Sequence, residues 1–204
     1  MIDPLYTIID VGLCRERQLA PLAVLDAFLA GGARLIQLRD KTPSSGERLA
    51  LADAAVARAH AADAILIVND RADVAAMSGA DGVHVGQEDL SVADARAIVG
   101  TAAIVGLSTH DAGQVHAAVM TDATYIAVGP IYGTATKDTG YAARGLDLVR
   151  HAAATGRPVV AIGGITLERA PEVLAAGAAS VAVISDLLRD DPAAMVRRFR
   201  ERLR

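Results

Sequence analysis

The chain has 204 residues, 52% of them apolar, and a formal charge of -4; that suits one domain with a large core and excludes a disordered chain. Aromatics are 3% with no tryptophan, which with the acidic balance argues against nucleic-acid binding, whether by base stacking or by a basic surface. The single cysteine, Cys14, excludes an internal disulfide framework, no apolar run approaches the ~20 residues of a membrane span, and the N-terminus lacks a leader pattern, so a cytoplasmic location is expected.

In chain order, the strand Leu5–Asp10 leads to a helical pattern over about residues 16–30, and Leu35–Asp40 to one over 45–61. Ile65–Asp70 precedes a helix over 71–78, Gly82–Gly86 one over 91–99, and Ile104–Thr109 one over 111–119. Tyr125–Pro130 is followed by 145–154, Pro158–Gly164 by 167–176, and Ser180–Ser185 by 192–203. Leu, Ala and Val recur at three- and four-residue spacing within the helical stretches, as an amphipathic face requires. Gly31-Gly32, Gly100, Gly156 and Gly177 follow helix ends, Ser91 and Thr166 are N-cap candidates, and Pro192 suits a first turn. Met77, Met120 and Met195 read as core.

Strands alternating with helices imply parallel crossovers. Eight such units predict a single-domain α/β fold, a (β/α)8 TIM barrel over residues 1–204. The alternative is an open doubly wound sheet, weakened because no Gly-x-Gly-x-x-Gly turn follows the first strand. A barrel keeps its chemistry at the C-terminal ends of its strands, and rare residues gather there. Of 20 basic residues only Lys41 and Lys137 are lysines, and Asn69 is the single asparagine; all three stand at strand ends or in the segments that follow them.

Gln37, Arg39 and Lys41 share one parity of the second strand, so two cations and an amide converge on the barrel mouth, a setting for a di- or triphosphate. Asp70 and Asp89 end neighbouring strands and suit a Mg²⁺ that also holds phosphate oxygens; each is otherwise a helix N-cap. Gly163-Gly164 and Ile184-Ser185 stand where barrels bind a phosphate through backbone N–H groups. Two anion sites on one face imply two phosphorylated substrates, or one carrying phosphate at both ends. The stretch Gly129 to Gly140 reads as a polar functional loop. His84 reads as barrel lining or helix-facing, and His110 as a candidate acid or base. No nucleophilic triad is visible.

These segments resemble the thiamine phosphate synthase (thiamin-phosphate pyrophosphorylase) family. The matches are Gln37-Leu38-Arg39-Asp40-Lys41, Val68-Asn69-Asp70-Arg71, Gly86-Gln87-Glu88-Asp89, Gly106-Leu107-Ser108-Thr109-His110, Gly129-Pro130 through Thr134-Ala135-Thr136-Lys137, Ile162-Gly163-Gly164 and Val183-Ile184-Ser185, in order along nearly the whole chain. The resemblance implies an enzyme, a transferase that joins hydroxymethylpyrimidine diphosphate (HMP-PP) to hydroxyethylthiazole phosphate with Mg²⁺ as cofactor, releasing pyrophosphate by dissociative chemistry. It assigns Gln37, Leu38, Arg39, Asp40, Lys41, Asn69, Ser108 and Lys137 to the pyrimidine diphosphate, and Thr134, Ala135, Thr136, Gly164, Ile184 and Ser185 to the thiazole phosphate. Asp70 and Asp89 are assigned to the metal, and Arg39, Lys41, Lys137 and Ser108 to catalysis. Asp40 stands where the family commonly has Glu. Two alternatives are a thiazole tautomerase-like barrel, whose members typically lack the Thr-x-Thr-Lys run, and a non-catalytic phosphate-binding barrel. Expected partners are small molecules, with no nucleic acid and no membrane; homo-oligomerisation is left open.

Overall fold

The computed structural model describes residues 2–42, 44–133 and 140–204. Its parallel strands are β1 (Leu5–Asp10), β2 (Leu35–Arg39), β3 (Ile65–Asn69), β4 (Gly82–Val85), β5 (Ile104–Thr109), β6 (Tyr125–Val128), β7 (Val159–Ile162) and β8 (Ser180–Val183). They close in sequence order into one barrel, β8 pairing back onto β1. Around it run α1 (Val11–Glu16), α2 (Pro21–Ala30), α3 (Ser45–Ala61), α4 (Ala72–Ser78), α5 (Val92–Val99), α6 (Ala112–Val119), α7 (Gly145–Ala153), α8 (Ala170–Ala175) and α9 (Pro192–Arg202), with a 3₁₀ turn, Ser185–Leu188, after β8. This is the (β/α)8 barrel that the alternation predicts.

Local chemistry starts the helices. Ser44 accepts from the Glu47 N–H at 3.3 Å and Ser91 from that of Asp94 at 3.1 Å. Asp111 accepts from Gln114 at 2.8 Å, and Asp191 caps α9 ahead of Pro192. Each cap satisfies an N–H that the helix cannot. Gly32, Gly100, Gly156 and Gly177 all have positive φ, which glycine adopts without the steric cost of a Cβ.

Two apolar layers hold the barrel. Leu5, Ile36, Leu66, Val83, Val105, Ile126, Val159 and Val181 face outward onto the helices. Ile8, Leu35, Ile67, Ala127, Val160 and Ala182 fill the interior from the opposite parity. At the N-terminal floor, arginines tie helix ends to strand starts. Arg96 donates to the Thr101, Ala103 and Asp122 carbonyls at 3.1, 3.0 and 2.8 Å, and Arg157 to those of Ala123, Val119 and Thr121 at 3.1, 3.2 and 2.7 Å.

Several expectations change. The helix expected over 16–30 starts only at Pro21, as α2, and a separate short helix, α1, precedes it directly after β1 because Asp10 caps it, accepting from Leu13 N–H at 2.9 Å; the chain turns through Gln18 (φ 56) between them. Thr166 is not the N-cap of α8, which begins at Ala170; its carbonyl instead accepts from the Arg169 and Ala170 N–H groups at 3.1 and 2.9 Å. Met195 is core, but Met77 and Met120 are 70% and 80% exposed. Both stand at helix C-termini, past the turn that packs on the barrel.

The seam between α2 and α9 closes the barrel from outside. A Cβ on Gly31 would lie 2.6 Å from the Ala193 carbonyl oxygen and 2.7 Å from Val196 Cβ, whereas the φ of -76° suits any residue. Gly31→Ala should therefore destabilise by about 1–3 kcal/mol through overpacking. Gly46, in the first turn of α3 with nothing within 4 Å of a built Cβ, is the control: Gly46→Ala should add about 0.4–1 kcal/mol. Urea denaturation of the two variants measures both signs.

Candidate active site

At the C-terminal ends of the strands lies a cavity of about 970 Å³, at the upper end of the usual size for a small-molecule site. Strands β2, β3, β4, β6, β7 and β8 end one or two residues earlier than the apolar runs suggest, and β1 and β5 end where expected. As a result Lys41, Asp70, Gly86, Gly129, Gly163-Gly164 and Ile184-Ser185 stand just beyond the ladders, on the cavity wall.

The β1–β4 side of the mouth carries the charges. Arg39 pairs with Asp10, and Lys41 Nζ with the Asp70 carboxylate. The Arg39 Nε is buried and has no hydrogen-bond partner among the described residues. Gln37, Asn69 and Ser108 also line the cavity. Leu38 and Asp40 have the other parity: Leu38 is buried against the helices, and Asp40 accepts from the Thr42 N–H and hydroxyl at 2.9 and 2.7 Å. Their side chains do not reach the cavity wall, and their assignment to the pyrimidine diphosphate has no side-chain basis.

Neither aspartate is a helix cap. α4 has Arg71 at its N-cap position and α5 is capped by Ser91. Asp70 has φ 63°, a left-handed conformation that aspartate tolerates better than most residues, and its N–H donates to the His84 carbonyl at 2.7 Å. Asp89 accepts from the Gly86 N–H at 2.8 Å. Partial burial and the adjacent Asp70 carboxyl push the Asp89 pKa up, against the pull of the Gly86 N–H and of Lys41. Two carboxylates that repel one another beside a phosphate-seeking arginine are a donor set suited to a hard divalent cation. The described residues contain no cluster of three or more such ligands; Asp70 and Asp89 offer carboxylate oxygens, the donors that Mg²⁺ takes. These residues therefore fit Mg²⁺.

The opposite side is built from backbone. Gly163 and Gly164 have φ 103° and 64°, and a Cβ on either would overlap the β6 loop, at 2.6 Å from Pro130 Cα or 2.5 Å from the Gly133 carbonyl oxygen. The Ile131 and Tyr132 N–H groups each donate at 2.9 Å, to the Ile162 and Gly163 carbonyls respectively, extending the β6–β7 ladder past the strands. Ile184 and Ser185 complete this side at the start of the 3₁₀ turn. Thr134, Ala135, Thr136 and Lys137 lie outside the described residues.

His110 donates from Nδ1 to the Gly129 carbonyl at 2.7 Å and stacks on Tyr141, centroids 4.3 Å apart; it lines the cavity. Cys14 is buried away from the mouth, and burial pushes its thiol up to about 11, so it is no nucleophile at neutral pH. Strand-end reading missed a buried chain of side chains in the barrel interior: Gln37, Tyr6, Tyr125, His84 and Ser108. Counting two residues back from Arg39 and Gly86 reaches Gln37 and His84, but no such spacing points to Tyr6 or Tyr125 or to the links between them.

A family model described as thiamine monophosphate synthase matches residues 5–187. A thiamine-phosphate synthase of Mycolicibacterium smegmatis is 50% identical over 198 residues, 88% of this chain and 84% of that protein. One from Acidothermus cellulolyticus is 45% identical over 203 residues, 98% of this chain and 94% of that one. Among solved structures, a thiamine phosphate pyrophosphorylase from Pyrococcus furiosus superposes with a TM-score of 0.88 at 30% identity, covering 98% of this chain and 94% of its own. With the barrel, its cationic and carboxylate mouth and its paired glycines in place, this chain belongs to the thiamine monophosphate synthase family.

Proposed function

We propose that the chain condenses 4-amino-2-methyl-5-(diphosphooxymethyl)pyrimidine with 4-methyl-5-(2-phosphooxyethyl)thiazole, giving thiamine phosphate and pyrophosphate. The observation that carries this reading is the pairing, on one 970 Å³ cavity, of a cationic end facing two carboxylates with a glycine-built end. One end suits a diphosphate with its metal, and the other suits a monophosphate held by backbone.

The C–O bond to the diphosphate breaks, the electron pair leaves with pyrophosphate, and the thiazole nitrogen supplies the pair for the new C–N bond. No protein nucleophile enters, in keeping with a buried, protonated Cys14. Arg39 and Lys41 have their largest task as charge builds on the leaving oxygens. In the structure they hold Asp10 and Asp70, ion pairs that a bound diphosphate would share or replace. A donor aimed at developing charge is typically worth ~10²–10³ in rate. Asp70 and Asp89 would hold Mg²⁺, which neutralises leaving-group charge. Ser108, 2.8 Å from His84 Nε2, offers its hydroxyl to the pyrimidine side. Asn69 orients the same substrate, and Gly164, Ile184 and Ser185 receive the thiazole phosphate. The tautomerase-like alternative needs no diphosphate site, and the paired carboxylates support the synthase.

The direct test mixes purified protein with both substrates, with and without Mg²⁺, and looks for thiamine phosphate and pyrophosphate. A protein that binds both phosphates without turnover would be a non-catalytic barrel. Asp70→Asn and Asp89→Asn should each lower kcat/KM by ~10²-fold or more, about 2.7 kcal/mol, and raise the Mg²⁺ concentration needed for half-maximal rate. Asp89→Asn should also leave the metal-free protein at least as stable as the wild type, since it removes one of two adjacent like charges and keeps an acceptor for Gly86; thermal melts with EDTA measure this. A lost helix cap would instead cost about 0.5–2 kcal/mol and spare the rate.

Lys137 is assigned to the diphosphate by resemblance. If it engages charge that develops on the leaving group, Lys137→Ala should lower kcat by ~10²-fold or more while the thiazole-phosphate KM stays within a few-fold. Lys137→Arg should recover part of the rate, because a planar guanidinium is not a compact ammonium. A large rise in that KM at normal kcat would move Lys137 to the monophosphate site.

A further inference from the structure

Five side chains from five strands form one buried chain across the barrel. Gln37 Nε2 on β2 donates to the Tyr6 hydroxyl on β1 at 3.0 Å, and the Tyr6 and Tyr125 hydroxyls are 3.1 Å apart. The Tyr125 hydroxyl on β6 is 2.9 Å from His84 Nδ1 on β4, and His84 Nε2 is 2.8 Å from the Ser108 hydroxyl on β5. Tyr6 and Tyr125 are each 1% exposed. The ring of Tyr125 meets Tyr6 edge-on at 6.0 Å and stacks with His84 at 5.6 Å. Gly106 makes room for this: a Cβ there would lie 2.2 Å from Tyr125 Cζ and 2.5 Å from His84 Nδ1. Gln37, Tyr6, His84 and Ser108 line the cavity, whereas Tyr125 stands behind the wall and reaches it only through its neighbours.

Donor and acceptor counting fixes where the protons lie. Among the described residues the hydrogen-bond partners of the Tyr6 hydroxyl are Gln37 and Tyr125. The amide nitrogen can only donate, so the Tyr6 proton goes to Tyr125. Tyr125 then gives its own proton to His84 Nδ1, the acceptor that remains for it among the described residues once Tyr6 is the donor between the two hydroxyls. A neutral imidazole accepting at Nδ1 carries its hydrogen on Nε2, and donates it to Ser108. Burial pushes the pKa of both tyrosines up, which keeps both protons in the chain. At one end the bond to Tyr6 turns the Gln37 amide nitrogen toward the barrel interior, so that its carbonyl oxygen, an acceptor, and its second amide hydrogen remain. At the other, Ser108 keeps its hydroxyl proton, a donor, beside one remaining lone pair.

We infer that Tyr6, Tyr125 and His84 are positioning residues whose proton order makes Gln37 an acceptor and Ser108 a donor, so that the site selects an amino-substituted pyrimidine over its oxo counterpart. This rests on the proposed function for the presence of a pyrimidine diphosphate. An aminopyrimidine presents a donating amine and an accepting ring nitrogen, the complement of that pair. The oxo form presents an accepting carbonyl and a donating ring N–H, which leaves polar groups facing like groups, a mismatch that sites built on hydrogen bonds reject strongly.

Calorimetry with Mg²⁺ and three probes tests it: the 4-aminopyrimidine diphosphate, its 4-oxo analogue and inorganic pyrophosphate. Wild-type protein should prefer the amino over the oxo compound by ~10²-fold or more. Tyr125→Phe keeps the ring and cuts the chain, so that preference should fall at least tenfold while pyrophosphate affinity stays within about threefold. Tyr6→Phe is the second variant in case Tyr125→Phe folds poorly; it releases Gln37 but leaves the Tyr125–His84–Ser108 end intact, so its loss should be smaller. Independently of any ligand, ¹⁵N spectra of the imidazoles, with His84 assigned by comparison with His84→Gln, should show Nδ1 unprotonated and Nε2 protonated in the wild type. Tyr125→Phe should lose that order. An unchanged preference in the folded variants, a parallel loss of pyrophosphate affinity, or a protonated Nδ1 in the wild type would overturn the inference. Wild-type protein that fails to bind or turn over the aminopyrimidine diphosphate while its His84 tautomer is as stated would instead sink the proposed function, and the amino-group selectivity with it.

Discussion

In a closed barrel of parallel strands every second side chain must point inward, and the site follows from that one constraint. Arg39 and Gln37 belong to the inward set of β2, and Lys41 continues its parity past the strand end. Leu38, between Gln37 and Arg39, is turned into the helix layer. The same rule places Asn69, His84, Ser108 and Ala127 on the cavity wall, from strands that follow one another around the barrel. Charge at the mouth is tolerable because it is compensated across neighbouring strands: Asp10 of β1 against Arg39 of β2, and Lys41 after β2 against Asp70 after β3. Without those pairings the cations would repel each other whenever no anion is bound.

The parts of the site that the sequence reveals are those fixed by position along one strand. Parity places Gln37, Arg39 and Lys41 together, and the strand-to-helix junction places Asp70, Asp89 and Gly163-Gly164. Aspartate at such a junction serves as helix cap or as ligand with the same local pattern, so periodicity alone leaves both readings open. The distinction lies in three dimensions: the left-handed backbone of Asp70 and the cap supplied by Ser91. Asp10 shows the reverse, a strand-end aspartate that does cap a helix while it also holds Arg39.

The relay from Gln37 to Ser108 was illegible for a different reason. Its links join β2 to β1, β1 to β6, β6 to β4 and β4 to β5, and the two middle links cross between strands that are not neighbours in the ladder. A contact across the barrel interior has no sequence spacing to betray it. Met77 and Met120 failed in the opposite direction: hydrophobicity suggested core, but a position at a helix C-terminus outweighed it.

The arginine clamps on the floor bear on the chain's skewed basic composition. Arg96 gathers three backbone carbonyls from the α5–β5 and α6–β6 connections, and Arg157 three from the end of α6 and the α6–β6 connection, a spread that suits a planar fork of donors better than a compact ammonium. The mouth has the other need at Lys41, a half-exposed point charge on a flexible stem against Asp70. The mouth thus uses both kinds of cation, Arg39 against Asp10 and Lys41 against Asp70, whereas the two floor clamps are arginines. A drift of base composition that exchanged one for the other would damage the scaffold in one direction and the chemistry in the other.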